Sequence, residues 1–167
     1  MDKKTNIIIR KRFADLIYYQ MGKNKNIWVV CGDLGYKMWD KVREKFPNRF
    51  INVGAAETTM IGVAVGLALE GKIPFVYSIT PFLLYRPFET IRNYLNHEKI
   101  PVKLIGSGCD RDYSLEGISH WSEEDRRVMK VFPNVKSVWY SGKENLKKIV
   151  EQMIKDKNPW YLNLPRK

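Results

Sequence analysis

Cysteine and histidine are scarce in this 167-residue chain, with two of each: Cys31, Cys109, His97 and His120. Two thiols allow at most one disulfide, and their separation offers no metal-ligand spacing. A disulfide framework is thereby excluded, and a reduced cytoplasm is the expected compartment. No apolar run approaches the roughly 18 residues that a membrane span needs. Ile7-Ile8-Ile9 gives way at once to Arg10-Lys11-Arg12, so no signal peptide is expected. A glycine loop of the kind that cradles phosphate is missing too. Negative charge is the other shortage: 18 acidic residues face 29 lysines and arginines, for a net charge of +11. Taken alone, that balance raises nucleic acid or anionic substrates as partners. The basic residues are scattered, however, from Lys11 and Lys41 to Lys99, Lys130 and Lys157, with no dense tract interleaved with aromatics. The expectation is a solvated lysine-rich surface, with neither nucleic acid nor membrane as partner. A phosphorylated substrate or an acidic partner remains open.

What is present is globular. Hydrophobic residues make up 44% and charged residues 28% of the sequence, enough for one domain spanning 1–167 with a real core. Helical and strand patterns alternate, which predicts an α/β domain with a doubly wound, mostly parallel six-stranded sheet. Strands are expected at Ile27–Cys31, Phe50–Val53, Pro74–Ile79, Val102–Gly106, Val135–Trp139 and Trp160–Leu164. Helices are expected at 10–21, through Trp39, Val42 and Phe46, at 57–70, from Leu84 to Asn96, after Ser122 and over 143–156. Ser122 reads as a capping serine, with Glu123, Glu124 and Asp125 in the positive first turn.

In such sheets ligands sit outside the carboxyl ends of the strands. Asp33, the segment Gly54–Glu57, Thr80–Phe82 and the loop 107–120 therefore belong on one functional edge. Glu57 is the sharpest candidate there. A carboxylate at a helix start is favoured by the macrodipole, but Glu57 opens the nearly all-apolar run Met60-Ile61-Gly62-Val63-Ala64-Val65-Gly66-Leu67-Ala68. Burial in that setting raises a carboxyl pKa, as proton-shuttling groups require.

Three blocks carry a family resemblance. Phe50-Ile51-Asn52-Val53-Gly54-Ala55-Ala56-Glu57, with Met60-Ile61-Gly62 and Gly66-Leu67-Ala68 behind it, resembles the transketolase and deoxyxylulose-phosphate synthase signature. Thr58 and Thr59 stand where glutamine and asparagine are common. Thr80-Pro81-Phe82-Leu83, Arg86, Phe88-Glu89 and Ile91-Arg92-Asn93 resemble the aromatic segment of the aminopyrimidine pocket. Glu116-Gly117-Ile118-Ser119-His120 is similar to the family's acidic-Gly-x-Thr/Ser-His loop. The resemblance runs from about Arg10 to Arg166, with all three blocks in order.

The resemblance implies a pyrimidine-binding domain of a thiamine-diphosphate enzyme. Glu57 takes the place of the glutamate that hydrogen-bonds a pyrimidine nitrogen and promotes the imino tautomer. Phe82 matches the stacking aromatic, with Tyr85 and Phe88 as pocket companions or ordinary core aromatics. Asp33 matches an acidic residue near the cofactor, and otherwise reads as a turn-forming aspartate. His120 corresponds to the substrate-loop histidine and Glu116 to its usual aspartate. Arg10 and Arg166 match arginines that hold a sugar phosphate, a task suited to the planar guanidinium. Lys37 lies where a phosphate-contacting serine is frequent. His97, late on a polar helix end, reads as a surface residue.

The family's Gly-Asp-Gly with a downstream asparagine, which holds Mg2+ and the diphosphate, is absent from the sequence. The resemblance thus implies a split enzyme: a partner chain supplies the diphosphate half and the metal, with two copies of each chain. A fragment of a longer protein has the same appearance. Ketol transfer between sugar phosphates is the expected activity. A pyruvate-decarboxylating condensation of the deoxyxylulose-phosphate synthase kind stays open, as do a pyruvate-dehydrogenase-type β subunit and a noncatalytic basic binding module.

Overall fold

The computed structural model describes residues 3–166; Met1, Asp2 and Lys167, the ends of the expected 1–167 unit, lie outside them. The first half of the chain runs α1 (Lys3–Lys23), β1 (Ile27–Cys31), α2 (Asp40–Lys45), β2 (Phe50–Asn52), α3 (Glu57–Leu69) and β3 (Ile73–Ile79). Then come α4 (Thr80–Tyr85), α5 (Phe88–Thr90) continuing as a π-helix (Ile91–His97), β4 (Lys103–Ser107) and α6 (Asp125–Lys130). The chain closes with β5 (Lys136–Trp139), α7 (Leu146–Lys155) and β6 (Trp160–Leu164). The strands form one six-stranded sheet in the order β2-β1-β3-β4-β6-β5. Every pairing is parallel, not merely most of them.

Both faces of the sheet are covered, which is why its strands read as nearly continuous apolar runs. Side chains alternate across the pleat with period two. Phe75, Tyr77, Ile105, Leu162 and Leu164 enter one core with Phe13, Ile17 and Met21 of α1 and Val150 and Met153 of α7. Val76, Leu104 and Tyr161 enter the other, under Met60, Ile61 and Ala64 of α3, Leu83 and Leu84 of α4, and Ile91 and Leu95. No described helix is long and apolar enough to cross a membrane.

Several helices depart from expectation for local reasons. The helix expected from Leu84 to Asn96 starts at Thr80, directly from β3, and is interrupted after Tyr85. Pro81 at the helix start has a fixed φ suited to that position. Pro87 lacks an N–H and breaks the ladder, and the chain resumes at Phe88 and loosens into the π-helix. The helix expected over 143–156 begins at Leu146, where Asn145 accepts a capping hydrogen bond from Lys148 N at 3.1 Å. Ser122 is not a cap. Its hydroxyl donates to Gly108 O at 3.1 Å, and α6 starts at Asp125 without a side-chain cap.

At the sheet's amino edge, Lys103 at the start of β4 is 1% exposed. Its Nζ donates to Asp156 O at 2.8 Å and to Asn158 O at 2.5 Å, tying β4 to the turn after α7. Burial pushes the Lys103 ammonium down to about 8, although the neighbouring Asp156 opposes it. Burial alone raises the Asp156 carboxyl, yet Lys136, Asn158 and Trp160 bonding to it hold it below the usual carboxylate range.

Candidate functional site

Strand order reverses between β1 and β3, the switch point where an open parallel sheet leaves a crevice at its carboxyl edge. Every segment expected on the functional edge arrives there. β1 ends at Gly32-Asp33, β2 leads through Gly54 to Glu57, β3 runs into Thr80-Pro81-Phe82, and β4 opens the loop after Ser107. Close approach is built in at Gly32. A Cβ there would lie 3.3 Å from Gly54 O and 3.4 Å from Met60 Sδ, so glycine lets the Glu57 segment fold against β1.

Glu57 is 4% exposed at the first position of α3. Its partner is Arg86, whose Nη1 donates to Oε1 at 2.8 Å. A buried carboxylate needs such a counter-charge, because desolvation without one costs several kcal/mol. The Arg86 guanidinium also lies over Phe82, with Cζ 3.8 Å from the ring centroid. Phe82 meets His120 edge-on at 4.8 Å between centroids, and Tyr113 lies 5.8 Å from the same imidazole.

From Tyr113 the cluster extends to the arginines. Arg10 Nη1 donates to Ser107 Oγ at 3.3 Å and to Tyr113 OH at 3.4 Å, while the two hydroxyls are 2.9 Å apart. Burial disfavours the Arg10 charge, but Tyr77, Tyr113 and Asp112 more than offset this and raise its pKa. Arg10 Nε is buried and has no hydrogen-bond partner among the described residues. Arg166 packs its guanidinium over Tyr113 at 4.2 Å and donates to Glu116 Oε1 at 2.9 Å. Partial desolvation raises the Glu116 carboxyl, and the bond from Arg166 reverses this and lowers it. A cavity of about 380 Å³ opens beside these groups, lined by Arg10, Leu34, Tyr36, Lys37, Tyr77 and Tyr113.

The structure therefore brings together Glu57, Phe82, His120, Arg10, Glu116 and Arg166. Lys37 reaches the cavity from the β1–α2 loop in a left-handed conformation, with φ 60°. Asp33 is exposed; its backbone N–H donates to Asn52 Oδ1 at 2.9 Å and it accepts from Asn52 Nδ2 at 3.4 Å. Tyr85 and Phe88 have other partners. The Tyr85 hydroxyl donates to Glu124 Oε2 at 3.4 Å, and burial with Glu124 and Asp125 nearby raises its pKa. Phe88 packs on Phe132 at 4.9 Å in the apolar layer, because the break at Pro87 turns the segment back toward the core. His97 is exposed, as expected.

Sequence reasoning missed Arg86 as the partner of Glu57, and Tyr113 as the hub between His120 and both arginines. It also missed a buried polar knot beneath the loop. Asp125 accepts from Trp139 Nε1 at 2.6 Å, Asn163 Nδ2 at 2.7 Å and Tyr161 OH at 2.9 Å. Thr80 and Ser122 hydroxyls both donate to Gly108 O. The loop carrying Tyr113, Glu116 and His120 is thus closed on itself, Ser122 to Gly108, and its Gly108 end is pinned to Thr80 just before Phe82. Neither thiol is set up as a nucleophile: burial pushes Cys31 up to about 11 and Cys109 up to about 12.

Comparison with known proteins agrees with this fold. A family profile described as the transketolase pyrimidine binding domain matches residues 5–167. A protein named putative transketolase C-terminal section, from Methanocaldococcus jannaschii, is 32% identical over 95% of this chain and 51% of its own length. A 6-deoxy-6-sulfo-D-fructose transketolase subunit from a Clostridium species is 31% identical over 95% of this chain and 50% of its own. Among solved structures, one titled split gene transketolase, inactive beta4 tetramer, superposes with a TM-score of 0.81 at 30% identity, covering 95% of this chain and 51% of that one. The chain spans about half the length of these relatives.

Proposed function

The chain belongs to the transketolase pyrimidine-binding-domain family, and from that premise we propose that it supplies the pyrimidine half of a thiamine-diphosphate site in a split transketolase. In this reading the enzyme moves a two-carbon unit between phosphorylated sugars. A second chain contributes the diphosphate and Mg2+ half, in an assembly of two copies of each. The observation that carries the reading is the pairing of a buried carboxylate, Glu57, with an aromatic ring, Phe82, both contacted by the half-exposed Arg86 at the switch point of the sheet. An aminopyrimidine needs both: an acceptor for a ring-nitrogen proton and a flat apolar surface.

Thiamine diphosphate, when bound, supplies the nucleophilic carbon that the protein itself lacks. Glu57 holds and exchanges a proton at the ring nitrogen, shielded from bulk water. Phe82 orients the ring. His120, held edge-on to Phe82, presents an imidazole to substrate oxygens. Arg10, with its unpartnered Nε, and Arg166 take the phosphate at the mouth, and Glu116 accepts from a sugar hydroxyl once Arg166 turns to the phosphate.

The test is a calorimetric titration of the isolated chain with cofactor and magnesium, repeated after adding the chain that carries the diphosphate half. Weak binding alone, tight binding in the mixture and turnover of a ketose phosphate donor are expected. Sub-micromolar binding by a homogeneous preparation of the single chain would sink the split-site reading. Turnover of pyruvate in place of a ketose phosphate would move the activity to the synthase type.

A further inference from the structure

Arg86 sits where the proposed cofactor ring belongs. Phe82 and Arg86 are four residues apart at the end of α4, so their side chains share one face. The guanidinium covers Phe82 at 3.8 Å and donates to Glu57 at 2.8 Å. It is a flat, π-delocalised group that stacks on the aromatic ring and presents an N–H to the buried carboxylate. An aminopyrimidine that stacks on Phe82 and shares a proton between its ring nitrogen and Glu57 presents an N–H to the carboxylate and makes the same two contacts. Both groups cannot make them at once.

We infer that Arg86 is a stand-in for the pyrimidine in the unpartnered chain, closing the subsite until a ring that both stacks and donates to Glu57 displaces it. This rests on the reading that Phe82 and Glu57 hold the cofactor's pyrimidine. The asymmetry of the pair gives the direction of movement. Glu57 is 4% exposed and fixed by α3, whereas the Arg86 side chain is 48% exposed and can swing into solvent. Without any partner, the buried Glu57 carboxylate is strongly disfavoured, so an empty, open subsite is the least stable arrangement. Arg86 also sets specificity. A flat ring without an N–H directed at Glu57 leaves the carboxylate unpaired and does not displace the guanidinium. The apparent affinity of the half-site falls by the fraction of molecules in which Arg86 is in place.

The test uses the full chain and thiamine, which carries the aminopyrimidine but no diphosphate, followed by ligand-observed NMR at millimolar concentration. Arg86→Ala is expected to bind thiamine about tenfold or more tightly than the wild type. Adding Glu57→Gln to that variant should abolish the gain. Arg86→Lys keeps a counter-charge for Glu57 but loses the flat face, and should show part of the gain; it carries the test if Arg86→Ala does not fold. Equal or weaker binding by the arginine variants, with wild-type binding measurable, overturns the stand-in and makes Arg86 a residue that holds the ring. A gain that survives Glu57→Gln overturns it as well, since the probe is then elsewhere. If thiamine binds no variant at all, the pyrimidine reading of the site falls, and the stand-in with it.

Discussion

Two buried charges at opposite edges of the sheet are handled in opposite ways. Lys103, at the amino edge, is enclosed by the fold and satisfied by the backbone carbonyls of Asp156 and Asn158. Glu57, at the carboxyl edge, is as deeply buried but satisfied by a side chain, Arg86, that is half in solvent. Main-chain acceptors cannot leave without unfolding the turn after α7. A guanidinium on a half-exposed side chain can leave by rotation alone. The first arrangement is a brace. The second leaves a buried acid free to exchange its present partner for another, which is what the role proposed for Glu57 requires.

The sharpest way to break the comparison is Glu57→Gln. In the reconstituted complex it should leave folding and assembly intact and lower turnover by about 10²-fold or more. Glutamine keeps the shape and an oxygen acceptor but cannot exchange a proton with the ring. The loss should fall on kcat, and hydrogen–deuterium exchange at the cofactor's C2 should slow by a comparable factor. Exchange at the wild-type rate in an assembled complex would make Glu57 a helix-start carboxylate and no more.

A smaller effect is expected from the arginines of the same edge. Replacing Arg10 or Arg166 with alanine removes a charged hydrogen bond worth roughly 1.5–3 kcal/mol, and uniform binding energy of this kind appears in KM before kcat. KM for the phosphorylated substrate should rise about tenfold or more. Arg10→Ala has the additional cost of leaving Ser107 and Tyr113 with only each other. An unchanged KM in both variants would return the arginines to the solvated surface.

The edge itself was legible in the sequence, because it follows from strand order and the ends of apolar runs. β1 and β6 match the expected residues, and Glu57 is as buried as its apolar helix implied. The partnerships were not legible. Arg86 lies 29 positions from Glu57, and Asp125 lies 36 and 38 positions from the hydroxyl and amide that bond it. Such pairs form only after helices from separate crossovers meet on the sheet, and no local pattern encodes them. Lys103 hid for the same reason: a lysine opening a strand reads as a solvated end until α7 closes over it. Ser122 shows the converse: it carries a strong local signal for a cap, and the tertiary contact won. For Phe88 the pocket and core readings stood side by side, and the ring packs on Phe132.

The last expected effect concerns the brace, and it is read through pH. The Lys103 ammonium falls from 10.5 to about 8 in the folded chain. Between those values the unfolded chain still holds the proton that the native one has released, so stability rises with pH across that window. Below about 8 both states are protonated and the penalty for burying the cation is present in full; above 10.5 both are neutral and it is gone. The whole change is at most about 3 kcal/mol. Lys103→Met fills the same space without a titrating group, so subtracting its stability from that of the wild type isolates the effect from other lysines. The difference, taken from denaturant midpoints at successive pH values, should be flat near neutrality and climb in favour of the wild type through the alkaline window. Thiamine binding should be the same in both proteins, since the brace lies at the far edge from Glu57. A flat difference up to pH 10.5 would show that the two carbonyls fully compensate the buried cation, and a change in thiamine binding would join the two edges that the structure keeps apart.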